Sequence, residues 1–284
     1  MFPSTSCSFN FFDFPDGDVV LVATGSESRE SPTQFRVHRC ILSLGSPFFR
    51  DMFSLPQNPA TVEKVPHIPV TEPGSVLDTL LRFIYPTPNP PVTSLEELRD
   101  VLGAAIKYEF EGVTATLREL LLSPHFLRSS PVSVYAIACR YDMDDIAKVA
   151  SGYTLGVDLM AGPLSEDLKW ITAYHYHQLL VLHKRRADAA ISFLAEAPQD
   201  NLKCMQCNGS TFHAAVPPKW WVAFETSARE ELSARPTTDR IFSLEFLYKA
   251  AAKGGCPRCP GSVLESWKFL VSLKEAIDDL NSTI

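Results

Sequence analysis

The fold of the N-terminal part of the chain is decided by the stretch Gln34-Phe35-Arg36-Val37-His38-Arg39-Cys40-Ile41-Leu42-Ser43-Leu44-Gly45-Ser46-Pro47-Phe48-Phe49-Arg50-Asp51-Met52-Phe53. Within it, Phe35 and Val37 alternate with polar residues, a pattern typical of a half-buried strand. The apolar residues that follow are too numerous for a surface loop, and Pro47 suits the first turn of a helix. The stretch therefore predicts a strand that leads into helical structure.

The residues on either side of this stretch predict a small sheet and further helices. Residues 18–22 form a compact apolar run suited to a buried strand, and the turn-rich residues 25–32 connect it to the strand at Phe35 as a hairpin. Downstream we expect a loop at 54–64, a short edge strand at 65–70 and helices at 73–85, 94–106 and 113–122.

Two motifs carry a resemblance to a known family. They are Asp18-Val19-Val20-Leu21 followed by Phe35-x-Val37-His38-x-x-Ile41-Leu42-x-x-x-Ser46-x-Phe48-Phe49-x-x-Met52-Phe53, and Val76-Leu77-x-x-Leu80-Leu81-x-Phe83-Ile84-Tyr85-Pro86. In this order and spacing, residues 1–123 resemble a BTB/POZ domain, and the chain as a whole is similar to the long BTB proteins of fungi. The resemblance implies an α+β fold class, a small sheet covered by helices, followed by all-α C-terminal regions.

The same resemblance implies what the protein does. BTB domains make homotypic and heterotypic protein contacts, and many recruit a substrate to a cullin scaffold of ubiquitin ligases. The expected role is therefore an adaptor with protein partners and without enzymatic activity or a small-molecule substrate. Many family members exchange an N-terminal helix and strand in a dimer. Residues 1–15 leave little room for either, so we expect a weak dimer or none.

Composition bounds the remaining classes of function. A net charge of -7 and a pI near 5.5 argue against general binding to nucleic acid or to an anionic membrane, which requires a basic face. The sequence has no apolar run long enough to span a membrane and no secretory signal at its N-terminus. We therefore expect a cytoplasmic or nuclear protein, where thiols stay reduced.

Beyond residue 123 the pattern is helical. We expect a helical extension at 124–200 and a helical subdomain at 201–284. Ser165 is expected to cap a long helix that runs to Ala197 without a glycine or proline. In the last helix, apolar residues from Val263 to Leu280 recur every three or four positions, which predicts one continuous buried stripe.

Several polar residues admit a catalytic interpretation and a structural one. Asp18 and His38 would suit acid–base chemistry, but a core histidine held by a hydrogen bond is the simpler interpretation, because catalysis also needs a nucleophile and a pocket. Ser46 lies in Leu-Gly-Ser-Pro-Phe, which is not the Gly-x-Ser-x-Gly motif of a nucleophile elbow. A helix cap explains this serine better.

The histidines and basic residues of the long helix do not form a recognisable site. His175 and His177 point to different sides of a helix, and His183 lies two turns away. The run from His183 to Arg186 is interpreted as a solvated helix face, although such runs can also contact phosphates or acidic partners.

Two Cys-x-x-Cys pairs give the strongest chemical signal. Cys204, Cys207, Cys256 and Cys259 are predicted to bind one structural Zn²⁺, since each pair is half of a Cys₄ site. Gly209 and Gly261 are expected to let the backbone curl toward the metal. The alternatives are two disulfides or four unrelated thiols. Zinc also supports a second function, a zinc-containing regulator associated with nucleic acid, which a basic surface around the cysteines would favour.

Overall fold

The computed structural model describes residues 11–24, 32–55, 65–198, 202–208 and 216–284. The chain divides into two compact units, Met1–Ser123 and Pro124–Ile284. The predicted further boundary at residue 200 stays a prediction. The predicted hairpin link and most of the predicted loop at 54–64 lie outside the described residues. No helix among the described residues is long and apolar enough to cross a membrane.

The N-terminal unit is a small sheet with helices, which confirms the predicted α+β class. Its elements are β1 (Val19–Ala23), β2 (Thr33–Val37), α1 (Arg39–Gly45), α2 (Pro47–Ser54), β3 (His67–Val70), α3 (Gly74–Ile84), α4 (Leu95–Lys107) and α5 (Glu111–Leu121). The sheet order is β2-β1-β3, with β1 antiparallel to β2 and parallel to β3. The apolar run predicted as a buried strand is therefore the central strand.

The core of this unit uses the residues that define the sequence motifs. Buried side chains come from every part of it: Val20, Phe35, Leu42, Phe49 and Leu80. Ile84 of the second motif, in contrast, is only half-buried, and the next residue, Tyr85, is buried. The helix ends at Ile84, so the chain turns there and directs the tyrosine ring inward.

Tyr85 makes hydrogen bonds with a polar residue near the sheet. Its hydroxyl accepts a hydrogen bond from the backbone N–H of His38 at 2.9 Å and lies 3.1 Å from Nδ1 of that ring. Burial raises the pKa of Tyr85 to about 12, so the hydroxyl keeps its proton. Asp18 accepts from the backbone N–H of Arg39 and so supports the start of α1. The structural interpretation of His38 and Asp18 holds, although the two side chains have different partners.

Ser46 is the helix cap that the sequence predicts. Its Oγ accepts a hydrogen bond from the N–H of Phe49 at 3.1 Å and donates to the backbone oxygen of Tyr108 at 2.5 Å. The side chain is fully buried. Its bond from Phe49 caps α2, and its bond to Tyr108 holds the start of α2 against the C-cap residue of α4. The Ser46 hydroxyl thus donates and accepts hydrogen bonds that stabilise the fold.

The variant Phe49→Ala is expected to destabilise the N-terminal unit by about 3–5 kcal/mol, because a buried ring leaves lost transfer energy and a cavity. The Phe49 ring lies 5.3 Å from that of Tyr108 and 5.8 Å from that of Phe110. Denaturant unfolding followed by circular dichroism measures the change. The matched control is Phe48→Ala, next in sequence but 39% exposed, for which about 1 kcal/mol or less is expected. Equal losses in the two variants would contradict the core assignment.

The C-terminal unit consists of helices in the part of the chain that the structure describes. They are α6 (Pro124–Ser129), α7 (Pro131–Arg140), α8 (Asp144–Thr154), a 3₁₀ helix (Glu166–Trp170), α9 (Ala173–Glu196), α10 (Lys219–Ala234), α11 (Thr238–Ile241), α12 (Leu244–Lys253), α13 (Cys259–Glu265) and α14 (Trp267–Asp278). Ala190 and Leu194 of α9 share one apolar cluster with residues of α10 to α14.

Two predicted helices are divided in the structure. Ser165 caps only the short 3₁₀ helix, and α9 begins at Ala173 after a separate cap, in which Thr172 accepts from the N–H of His175. The predicted stripe from Val263 to Leu280 is likewise interrupted, because α13 and α14 meet at Ser266. In both cases a Ser or Thr side chain near the break bonds the backbone, and periodicity alone did not reveal the restart.

The basic run of α9 is not a solvated face throughout. Lys184 and Arg185 are exposed, but Arg186 is only 6% exposed. Its guanidinium donates to four backbone oxygens at the end of α14 and before α11, those of Ile277, Leu280, Asn281 and Pro236. Arg186 thereby joins α9 to the last helix, and the prediction of a solvated face is wrong at this residue.

His183 of the same run is half-buried rather than solvated. Its Nε2 lies 3.1 Å from the hydroxyl of Thr154. Burial lowers the pKa of His183 to about 4, because the protonated ring loses hydration. The imidazole is therefore neutral at pH 7. His175 is also half-buried and His177 exposed, as expected for residues at a helix packing edge.

Replacing Arg186 by Met is expected to destabilise the C-terminal unit by more than about 2 kcal/mol, since buried carbonyl groups lose their donors. All four tryptophans of the chain lie in this unit, so unfolding followed by tryptophan fluorescence reports on it. The matched control is Arg185→Met, an exposed neighbour whose loss should cost about 0.5 kcal/mol or less. Unchanged unfolding of Arg186→Met would show that these hydrogen bonds contribute little.

Candidate metal centre

The two Cys-x-x-Cys pairs converge on one point in the C-terminal unit. The sulfur atoms of Cys204, Cys207, Cys256 and Cys259 all lie within 4.8 Å of one another. The separations are 3.7 Å for Cys204 and Cys256, 3.6 Å for Cys207 and Cys259, and 3.8 Å for Cys204 and Cys259. These thiols are free, since a disulfide needs sulfur atoms about 2.05 Å apart.

Such distances are those of a tetrahedral metal site. A zinc ion with four sulfur ligands at about 2.3 Å sets its ligands about 3.8 Å apart. Three of the sulfur separations match this spacing, and none exceeds 4.8 Å. Four sulfur ligands would leave no coordination position open on one ion. The cluster is compatible with zinc. Among the residues described, no other group of three or more His, Cys, Asp or Glu side chains shares this property.

The first pair lies on a turn that Asn208 holds in place. The Asn208 side-chain oxygen accepts from the backbone N–H of Cys204. The Asn208 amide nitrogen donates to the backbone oxygens of Leu202 at 2.8 Å and Val216 at 3.2 Å. This side chain thus joins both sides of the turn. The sequence pattern predicts that Gly209 shapes this turn, but Gly209 lies outside the described residues. The pattern assigns no role to Asn208, the residue directly before it.

The second pair is positioned by glycines that precede it. Gly255 has a φ of +69°, the left-handed conformation that glycine adopts readily. A Cβ on Gly254 would lie 2.9 Å from the backbone oxygen of Lys219, so α12 ends against the first residue of α10. The expected role of Gly261 is wrong, because this residue lies inside α13. A Gly-Gly sequence before Cys256 is the signal that marks the turn.

Backbone N–H groups face the sulfur atoms. Those of Gln206 and Cys207 donate to Cys204, and the N–H of Trp220 donates to Cys259. The N–H of Lys219 donates to Cys207 at 3.4 Å. Lys219 and Trp220 begin α10, whose positive N-terminal end favours negative charge on the sulfur atoms.

The surroundings shift the pKa values of three of these thiols in different directions. Burial disfavours the Cys204 thiolate, yet its N–H donors lower the pKa of Cys204 to about 6. Burial raises the pKa of Cys207, and the neighbouring Cys204 thiol raises it further. Burial also raises the pKa of Cys259, as do the thiols around it. Cys204 is therefore ready to ionise, while Cys207 and Cys259 need a compensating positive charge. A bound divalent metal ion would supply that charge and would favour the thiolate form of its ligands.

The centre is embedded in the apolar cluster of the unit. Cys204 and Cys259 are fully buried, as are Trp220, Trp221 and Phe224 of α10. The Trp221 ring lies 5.5 Å from that of Phe224. The residues between the two pairs hold α10 to α12, so the cysteines join the two ends of this helical segment. Burial, closed coordination and helical surroundings are features of a structural rather than a catalytic site.

The comparisons with known proteins concern the N-terminal unit. The model of the BTB/POZ domain family matches residues 16–125, which include every strand and helix from β1 to α5. The search of curated proteins gives no match to the chain. The cysteine cluster lies beyond the matched residues, so its assignment depends on its own geometry.

Proposed function

We propose that this protein, whose residues 16–125 form a BTB/POZ domain, is an adaptor that recruits a substrate protein to a cullin scaffold of ubiquitin ligases. The observation that carries the proposal is the family match, since a BTB/POZ domain is a protein-interaction module. The proposal assigns no catalytic step. Asp18, His38 and Ser46, the residues considered for chemistry, all make hydrogen bonds within the fold.

An exposed apolar face of α2 supports protein binding by this domain. Phe49 points into the core, whereas Phe48, the half-buried Met52 and the C-cap residue Leu55 follow one flank of α2 beside it. Phe48 is 39% exposed and Leu55 62% exposed. We call these three residues the α2 stripe. Apolar side chains that recur along one exposed helix face mark a site of protein contact. In this proposal the cullin scaffold covers the stripe.

The proposal extends to the C-terminal unit, which a structural zinc ion holds together. Four sulfur donors at tetrahedral spacing, with N–H groups directed at them, support zinc over four unrelated thiols. Zinc thiolates require a reducing compartment, and the cytosol or nucleus is the proposed location. The BTB domain would then bind the scaffold while this unit presents the surface for the substrate.

The adaptor proposal is tested with the purified full chain and purified cullin N-terminal domains in a binding titration. The variant Phe48→Asp/Leu55→Asp changes exposed side chains and should weaken binding at least about tenfold, because charge replaces apolar contact area. The matched control is Leu164→Asp, an exposed leucine of the C-terminal unit, 77% exposed.

Absence of binding by the unchanged protein would refute the cullin role. Sedimentation of the same samples identifies a competing occupant. If the α2 stripe instead mediates self-association, the unchanged protein should be a dimer at micromolar concentration and the double variant a monomer.

The zinc proposal predicts about one zinc ion per chain by metal analysis, with four sulfur ligands near 2.3 Å by X-ray absorption. Chelation should shift the tryptophan emission, because Trp220 and Trp221 share the apolar cluster with the cysteines. Cys204→Ser should lose most of the metal. Cys139→Ser, a buried free cysteine outside the cluster, is the control and should keep it. Metal-free protein with unchanged fluorescence would refute the zinc site.

A further inference from the structure

The surface around the cysteine cluster differs in charge from the rest of the chain. Acidic residues number 33 of 284, and the net charge is -7. Yet residues 201–224 and 246–264, which contain the two cysteine pairs, include no Asp or Glu. The exposed cations there that form no ion pair among the residues described are Lys203, Lys219, Lys253 and Arg258. We call these four residues the basic rim.

The structure gathers the basic rim around one point. Lys203 precedes Cys204 directly, and Arg258 precedes Cys259. The backbone of Lys219 bonds to Cys207. The end of α12, which carries Lys253, packs against the first residue of α10, as the close approach at Gly254 requires. Residues far apart in sequence therefore contribute positive charge to the neighbourhood of a single centre.

Other cations of α10 and α12 form ion pairs, unlike those of the basic rim. On α10, Arg229 pairs with Glu225 at 2.7 Å, and Arg235 at its end pairs with Glu231 at 2.6 Å. On α12, Lys249 pairs with Glu245. These are the usual i,i+4 pairs of a solvated helix. The pairing stops where the cysteines begin, which leaves the rim cations available to an outside partner.

Exposed apolar side chains lie among these cations. Met205 lies between the cysteines of the first pair and is 83% exposed. Val216, whose backbone oxygen accepts from Asn208, is 64% exposed, and so is Leu264 of α13. The surface therefore offers isolated positive charges together with aliphatic contact area.

We propose that the basic rim, with Met205, Val216 and Leu264, binds an acidic segment of a partner protein in which apolar residues alternate with carboxylates. The inference rests on the proposed adaptor function and assigns the substrate surface to the C-terminal unit. Charge complementarity selects an acidic ligand. A zinc ion with four thiolates would carry about -2, which is less than the charge of the four cations.

Peptide is favoured over nucleic acid for two reasons. Non-specific affinity for nucleic acid comes from Lys and Arg that neutralise backbone phosphates, and the rim offers four cations for this. Nucleic acid also brings no aliphatic side chains to cover Met205, Val216 and Leu264, whereas an acidic peptide with leucines does. Both observations concern the same surface, so one peptide can satisfy them together.

The test uses the full chain and a fluorescein-labelled synthetic peptide of repeating Asp-Leu-Glu units, with binding measured by anisotropy at low salt. The double variant Lys253→Glu/Arg258→Glu should weaken binding at least about tenfold, because each exposed charge is reversed. The matched control, Lys148→Glu/Arg185→Glu, makes the same charge change at exposed cations remote in sequence from the cysteines and should leave affinity within about twofold.

Three outcomes would overturn the proposal. One is equal loss in the two double variants, which would indicate only net charge. Another is equal affinity for a peptide of repeating Asn-Leu-Gln units. The third is tighter binding of single-stranded oligothymidine, which would assign the rim to nucleic acid. Metal content of each variant is measured in parallel, so damage to the zinc site is recognised. The assay contains no cullin, so its result is separate from that of the adaptor test.

Discussion

The C-terminal unit depends on the approach of two turns that are 52 residues apart in sequence. Bringing such distant points together costs conformational entropy, and apolar packing must offset it. Here the turns meet inside the apolar cluster, so the sulfur atoms and the rings of Trp220 and Trp221 share one environment. A bound ion would add a second, stronger link at the same point. The helices α10 to α12 then form a loop that is closed at its base by chemistry as well as by packing.

Aromatic packing stabilises the N-terminal unit. The centres of the Phe12 and Phe14 rings each lie 5.3 Å from that of the Tyr85 ring. The Tyr85 hydroxyl accepts a hydrogen bond from the backbone N–H of His38. Phe49 packs against Tyr108, whose backbone oxygen accepts from Ser46. Tyr85 and Tyr108 thus combine ring packing with a hydrogen bond to the residue that precedes a helix, α1 for Tyr85 and α2 for Tyr108. The neighbouring Phe48 ring lies 5.5 Å from that of Tyr108, yet this side chain stays 39% exposed.

Much of this architecture could be predicted from sequence because local rules and burial agree. The alternation at Phe35 and Val37 and the cap at Ser46 depend on residues close together in sequence, and each cysteine pair has a short, recognisable spacing. The predictions fail where the burial or the hydrogen bonds of a residue depend on a partner distant in sequence. Arg186 is indistinguishable in sequence from Arg185, and only the approach of the last helix buries one and not the other. Asn208 likewise acts through Leu202 and Val216, and no local pattern predicts those contacts.

The closed loop has a mechanical consequence. When force is applied to the two ends of a cross-linked chain, the load passes through the cross-link, and the residues enclosed by it are not extended. With an ion held by Cys204, Cys207, Cys256 and Cys259, residues 208–255 would be shielded in this way. An unfoldase that draws in the chain from its C-terminus would meet this loop as a bulky obstacle after it had unravelled α14 and α13. Without the ion, only the packing of the apolar cluster would resist the same pull.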